Sequence, residues 1–107
     1  MEARQIDPHK YLTYLAETDE AYAQARAAVK AAEYTLKVVK AKEYLAHTGT
    51  QAEREQVAYA SDEYQAVLNN LADVTKEAET MGAKRKTAEL AIEVFRSLNA
   101  NQRRGNV

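Results

Sequence analysis

Very few residues in this chain can interrupt a helix. Its 107 residues include one proline and three glycines, while alanine, glutamate, lysine, leucine and arginine dominate the middle of the sequence. Because these five residue types favour helices whereas glycine and proline end them, helix is predicted over most of the length. The sequence lacks the alternating β-branched runs and Asn-Gly turns that are typical of strands and hairpins. The fold is therefore predicted to be all-α.

The first helix is predicted to span residues 8–47. Asp7 suits the N-cap, where a carboxylate accepts a backbone N–H, and Pro8 suits the first helical position. No further breaker occurs before Gly49, which can adopt the left-handed conformation that closes a helix.

The turn at residues 48–50 both ends one helix and begins the next. Thr50, followed three residues later by Glu53, has the spacing of a capping box. A turn this short makes consecutive helices antiparallel neighbours. Tyr44, Tyr59 and Tyr64 surround the turn, and we expect them to form a small cluster that fixes the connector.

A second, weaker break is predicted at Ser61, a good N-cap followed by two acidic residues. It divides the rest of the chain into a short helix at 51–59 and a long helix at 62–99, followed by a flexible tail at 101–107. The alternative is one continuous, slightly kinked helix over 51–99.

The long helices carry apolar residues at heptad spacing, which is typical of coiled-coil-like packing. In the last helix two series repeat every seven residues: Tyr64, Leu71, Ala78, Arg85 and Ile92, and Val67, Val74, Met81, Ala88 and Phe95. In the first helix the corresponding positions are Leu15, Tyr22, Val29 and Leu36, with Ala25, Ala32 and Val39 between them. The predicted architecture is a single domain, residues 1–107, folded as a long antiparallel helical hairpin.

Apolar residues outside the main seam predict that copies of the chain assemble into a four-helix bundle or a longer assembly. These residues are Val38, Leu45, Leu68, Leu90, Val94 and Leu98. The proposed self-association seam comprises Leu68, Arg85, Leu90, Val94 and Leu98. Arg85 occupies a position where an apolar residue is expected. Its stem can lie along the groove, its guanidinium can pair with an acid of another copy, or it can reach solvent at the edge of the seam.

No pattern in the sequence indicates an enzyme, so we predict no catalytic residues, no metal site and no cofactor. The chain has no cysteine, and His9 and His47 lack the neighbours of a zinc or di-iron site. Glycine-rich phosphate loops and nucleophile motifs do not occur. The N-terminus is charged, and apolar runs are far too short for a membrane span. A cytoplasmic location without membrane contact is therefore expected.

The C-terminal quarter is basic. Residues 84–107 hold six lysines and arginines against two acids, giving +4, whereas residues 1–83 hold nine against fourteen, giving −5. Basic side chains can contact phosphates. The candidate contacts for nucleic acid or a partner are Lys84, Lys86, Arg96, Arg103 and Arg104. For Arg96, the alternative is an ion pair with Glu17 or Glu20 across the hairpin.

Two stretches, "EYLAHTGTQAEREQVAYASDEY" and "AKRKTAELAIEVFRSLNANQRRG", resemble small helical proteins encoded by tailed phages and prophages. The resemblance covers roughly residues 43–105. It implies a phage origin, a bacterial host cytoplasm and a setting near recombination or replication genes. It implies no catalytic residues.

The prediction from sequence is a non-enzymatic, self-associating helical accessory or adaptor protein that binds a protein of DNA metabolism. The alternative is a weak nucleic-acid-binding protein that uses the basic C-terminal region.

Overall fold

The computed structural model describes residues 6–105, which form three helices. These are α1 (Pro8–Ala46), α2 (Gln51–Ala60) and α3 (Asp62–Gly105). Helices α1 and α3 pack as a helical hairpin, with α2 in the connector, and the described residues contain no strand. The all-α prediction is confirmed. Within residues 6–105, none of the helices has a segment that is both long and apolar enough to cross a lipid bilayer.

Local capping contacts explain where α1 begins and how the connector follows it. The Asp7 carboxylate accepts the backbone N–H groups of His9 at 3.1 Å and Lys10 at 3.4 Å, as expected of an N-cap. Helix α1 ends at Ala46, one residue before the predicted end. Gly49 then adopts a φ of 124°, a conformation that residues with a Cβ rarely adopt.

Ser61 separates α2 from α3, so the predicted break is present. Its hydroxyl donates to the carbonyl oxygen of Ala58 at 2.9 Å and accepts the backbone N–H of Tyr64 at 3.1 Å. One side chain thus satisfies the last turn of α2 and the first turn of α3. At the other end of α2, the Thr50 hydroxyl accepts the backbone N–H of Glu53 at 3.2 Å, in agreement with the predicted cap.

Helix α3 continues to Gly105, beyond the predicted end at residue 99. The described part of the predicted flexible tail, residues 101–105, is therefore helical, and residues 106–107 lie outside the described residues. The asparagines at 99 and 101 suggested an end because asparagine has weak helix propensity. Leu98, Asn99 and Ala100 are half-buried, so packing around these positions outweighs that weak preference.

The chain forms two compact units. One comprises residues up to Tyr22 together with those from Glu79 onward, and the other comprises Ala23–Ala78. Each unit contains a stretch of α1 and a stretch of α3. In the first unit Ile6 and Ala88 are buried, and in the second the buried residues are Ala32, Val39, Ala58 and Ala78.

The heptad seams of both helices are the sides that become buried. Every α3 seam position from Tyr64 to Phe95 is buried or half-buried, and so are the α1 seam positions from Leu15 to Val39. Four of the six buried apolar residues are alanines, whose small side chains allow two helix backbones to approach closely.

Candidate interaction surfaces

Arg85 is the polar centre of the unit formed by the start of α1 and the end of α3. Its guanidinium donates to the carbonyl oxygen of Leu15 at 2.9 Å, to the Thr18 hydroxyl at 2.6 Å and to the Asp19 carboxylate at 2.5 Å. The side chain is only 14% exposed, whereas that of Asp19 is 68% exposed. Its ionic partner belongs to its own chain, so Arg85 fixes the register of α1 against α3. We therefore remove it from the predicted self-association seam.

An aromatic contact lies one turn from this cluster. The Arg85 guanidinium carbon is 5.2 Å from the centre of the Tyr22 ring. A Cβ at Gly82 would lie 3.0 Å from Tyr22 Oη, so the absence of a side chain at residue 82 leaves room for the tyrosine. Together these contacts place Gly82 level with Tyr22 and Arg85 level with Thr18.

This register corrects the predicted pairing of Arg96. Because Arg96 lies eleven residues beyond Arg85, it is about 16 Å further along α3, whereas Glu17 and Glu20 are close to the level of Arg85.

Tyrosines and cations fix α2 in the other unit. Lys40 Nζ donates to Tyr59 Oη at 2.6 Å, and the Tyr59 and Tyr64 rings meet edge to face with centres 5.3 Å apart. The hydrogen bond to Tyr59 raises the pKa of Lys40 above its ordinary value. Arg54 lies over the Tyr44 ring at 4.1 Å and donates to the Tyr44 carbonyl oxygen at 3.0 Å.

The outward side of α3 carries an uncharged stripe in the first unit. Its residues from Thr80 to Ser97 each lie two positions after a residue of the heptad seam inside the hairpin, here called the inner seam, and Asn101 continues the spacing. Two positions correspond to a rotation of about 200° around the helix, so the stripe faces away from the inner seam. Its two largest apolar side chains, Leu90 and Val94, are 50% and 44% exposed. We call this surface the α3 stripe, and it comprises Thr80, Ala83, Thr87, Leu90, Val94, Ser97 and Asn101.

The spacing of the α3 stripe, alternately three and four residues, is that of a coiled-coil seam. The Thr87 hydroxyl donates to the Ala83 carbonyl oxygen at 3.1 Å, so it does not require water for a partner. Along one flank the charges alternate, with Glu79, Lys86 and Glu93 seven residues apart. The stripe thus has the spacing of a helix-packing seam, but its residues are exposed.

The other two leucines of the predicted self-association seam, Leu98 and Leu68, are not residues of the α3 stripe. Leu98 is half-buried one turn beyond Val94, at the edge of the stripe. Leu68 is exposed but belongs to the other unit, so it is not part of this surface.

The five candidate cations are all exposed but do not form one patch. Lys84 and Lys86 are two residues apart and point to opposite sides of α3, about 200° from each other. Arg103 and Arg104 lie in the last turn. Arg96 and Arg103 are seven residues apart and share one side of the helix.

A second uncharged stripe lies on the outward side of α1 in the unit Ala23–Ala78. The sequence identified two of its residues, Val38 and Leu45, as apolar residues outside the main seam but did not connect them into one surface. Its residues also follow inner seam positions by two. Tyr34 and Leu45 are 71% and 75% exposed, the largest exposures among the bulky apolar side chains of the described residues. We call this surface the α1 stripe, and it comprises Ala27, Ala31, Tyr34, Val38, Ala41 and Leu45. The sequence contains a signal for this surface, because its residues are spaced by three and four and are offset by two positions from those of the main seam.

Lysines border the α1 stripe on both sides. Lys30 and Lys37 lie along one flank and Lys42 lies on the other, and all three are exposed. At its C-terminal end the stripe opens into a groove of about 350 Å³ between α1 and α2. Ala41, Tyr44 and Leu45 supply apolar surface to this groove, and its charged lining residues are Lys37, Lys40 and Glu55.

In the part of the chain that the structure describes, no group of three or more His, Cys, Asp or Glu residues could hold a metal ion. Comparison of the chain with family models, with curated proteins and with solved structures found no match.

Proposed function

We propose that this protein is a non-enzymatic helical adaptor that dimerises through the α3 stripe and binds a second protein. The observation that carries the proposal is the exposure of Leu90 and Val94 within a continuous, uncharged seam. Exposed apolar side chains at coiled-coil spacing are stabilised by burial against another helix. The simplest available helix is the same stripe of a second copy, because a two-fold interface uses one surface twice.

The order of residues along the α3 stripe suits an antiparallel pair. In a two-fold arrangement centred near Leu90, Thr87 of one copy faces Leu90 of the other, and Ala83 faces Val94. Small residues therefore meet large ones in successive layers. On the flank, Lys86 of each copy faces Glu93 of the other, so the dimer contains two symmetric pairs of opposite charges. Each exposed pair contributes only about 0.2–1 kcal/mol, which selects the register more than it drives association.

The proposed partner is a protein of phage or host DNA metabolism. This choice is supported by the resemblance of residues 43–105 to small phage-encoded helical proteins found near recombination and replication genes. The α1 stripe supports the adaptor role, because dimerisation through the α3 stripe uses none of its residues.

Sedimentation equilibrium of charge variants tests the dimer. We expect Lys86→Glu and Glu93→Lys each to weaken the dimer about tenfold, because each single change places like charges together at two symmetric positions. The combined variant K86E/E93K should recover the wild-type dissociation constant. The variant L90E/V94E should be monomeric at all concentrations measured.

The control for L90E/V94E is N69E/A72E, which adds two glutamates at exposed, uncharged positions of α3 outside the stripe. This control should dimerise like the wild type. Far-UV circular dichroism would verify that every variant remains helical. A wild-type protein that stays monomeric at high concentration, or a double variant that fails to recover, would contradict the proposed dimer.

A weaker candidate function is nucleic-acid binding by the end of α3. Its support is that Arg96 and Arg103 are exposed on one side of the helix, with Arg104 adjacent. We would titrate the protein into labelled single- and double-stranded DNA at low and physiological salt. Binding that survives physiological salt and is lost in R96Q/R103Q, but not in the control K10Q/K76Q, would establish this function. Loss of all binding at physiological salt would exclude it.

A further inference from the structure

The α1 stripe differs from the α3 stripe in the charges beside it. The α3 stripe has acids and bases in alternation along one flank, whereas the outward flanks of the α1 stripe carry Lys30, Lys37 and Lys42 and no acid. If two α1 stripes paired antiparallel, Lys30 and Lys37 of one copy would face the same lysines of the other. Like charges at these positions destabilise a helix pair. The α1 stripe is thus unsuited to self-association.

The side chains of the α1 stripe also indicate what kind of surface covers it. Three of the six residues are alanines, as at the buried positions of the hairpin itself. Small residues let a second helix approach closely, but they supply little apolar area for insertion between lipids. The stripe therefore fits a helix better than a membrane.

The groove between α1 and α2 adds an anchoring position. It holds about 350 Å³ beside Ala41, Tyr44 and Leu45, enough space for one large apolar side chain of a partner. The charged residues that line it are Lys37, Lys40 and Glu55, so two lysines outnumber one acid and favour an acidic residue of the partner next to that apolar side chain.

We propose that the α1 stripe binds an amphipathic helix of a different protein, with acidic residues flanking its apolar side and one large apolar side chain in the α1–α2 groove. This inference rests on the proposed adaptor function and specifies the chemistry of its partner. The apolar contact would provide most of the affinity, and the three lysines would select acidic partner helices over basic ones.

Synthetic peptides test this proposal without knowledge of the natural partner. The probes are two three-heptad helices with an identical Leu/Ala stripe and one central Trp, flanked by glutamate in one peptide and by lysine in the other. We expect the glutamate peptide to bind at least tenfold more tightly in fluorescence anisotropy, with an affinity that falls as salt rises. Equal binding of both peptides, or binding of neither, would overturn the proposal.

Variants of the protein locate the site. Y34E/L45E should bind the glutamate peptide at least tenfold more weakly, and K30E/K37E should reverse the preference between the peptides. The matched control T13E/A16E adds two glutamates at exposed positions of α1 outside the stripe and should bind like the wild type. Peptide affinity that is unchanged in Y34E/L45E would overturn the assignment.

Two further measurements separate this inference from other outcomes. Binding to phosphatidylserine vesicles, with no binding of either peptide, would show that the α1 stripe binds a membrane surface instead of a helix. The dimer-breaking variant L90E/V94E should bind the glutamate peptide like the wild type. If the wild-type protein does not dimerise but binds the glutamate peptide, the proposed dimer is wrong and the α1 site is retained. If L90E/V94E loses peptide binding, the α1 stripe is not a separate site and this proposal is wrong.

Discussion

At the scale of single residues, Arg85 shows what a heptad pattern can and cannot predict. The pattern places residue 85 on the inner seam, and its side chain is indeed nearly buried there. It does not reveal that Thr18, Asp19 and the Leu15 carbonyl oxygen converge on the guanidinium. That convergence depends on the register of two helices whose contacting residues are more than sixty positions apart in sequence. Helix propensity and residue spacing contain no information about contacts between residues so far apart in sequence.

We predict that removing the Arg85 side chain lowers the free energy of unfolding more than neutralising Asp19 does. Arg85→Ala should lower the free energy of unfolding by about 1–3 kcal/mol, because it removes three charge-assisted hydrogen bonds and the packing of the stem. Asp19→Asn should cost less than about 1 kcal/mol, because Asp19 is largely exposed and contributes one of the three bonds. Urea denaturation followed by circular dichroism measures both.

The control for Arg85 is Lys76→Ala, an exposed lysine of α3 outside the α3 stripe that should change stability by no more than about 0.5 kcal/mol. Equal losses for R85A and D19N would show that the ion pair alone, rather than the whole cluster, holds the register.

Gly82 and Tyr22 offer a second test at the residue scale. Alanine has a higher helix propensity than glycine by about 1 kcal/mol, but its Cβ would press on Tyr22 Oη. Gly82→Ala should therefore gain more stability in a Tyr22→Phe background than in the wild type, with a coupling of about 0.5 kcal/mol or more in the double-mutant cycle. Strict additivity of the two changes would mean that the Tyr22 hydroxyl moves away from the new Cβ at no cost in free energy.

At the scale of elements, the connector was the most predictable part of the chain. Threonine three residues before glutamate, and serine before two acids, specify helix starts through contacts within a few residues. Both caps are present in the structure. The end of α3 was predicted wrongly because local propensity cannot anticipate the half-burial of Leu98, Asn99 and Ala100.

Ser61→Ala should destabilise the connector by about 0.5–2 kcal/mol, the usual cost of an N-cap. Here the loss should lie towards the upper end, because the same hydroxyl also donates to the Ala58 carbonyl oxygen. Urea denaturation gives the magnitude, and hydrogen exchange should show faster opening of α2 with little change at the start of α1. A cost equal to that of Thr13→Ala, which removes an exposed hydroxyl of α1 outside both stripes, would exclude a role for Ser61 as a double cap.

At the scale of the whole molecule, the sequence could indicate an excess of apolar surface but not its division into two stripes. From the sequence, Val38, Leu45, Leu68, Leu90, Val94 and Leu98 were grouped together as apolar residues outside the main seam. In the structure Leu90 and Val94 belong to one uncharged stripe, while the more exposed Tyr34 and Leu45 belong to another. The distinction matters for function because the neighbouring charges favour self-pairing in one case and oppose it in the other.

If the α3 stripe forms a dimer, folding and association are linked, and thermal stability must depend on protein concentration. A hundredfold increase in concentration above the dissociation constant should raise the Tm of the wild type by about 5–10 °C, since mass action favours the folded dimer. The Tm of L90E/V94E should be independent of concentration. Y34E/L45E, whose changes lie in the α1 stripe, should retain the wild-type dependence. A concentration dependence lost in Y34E/L45E and kept in L90E/V94E would exchange the roles assigned to the two stripes.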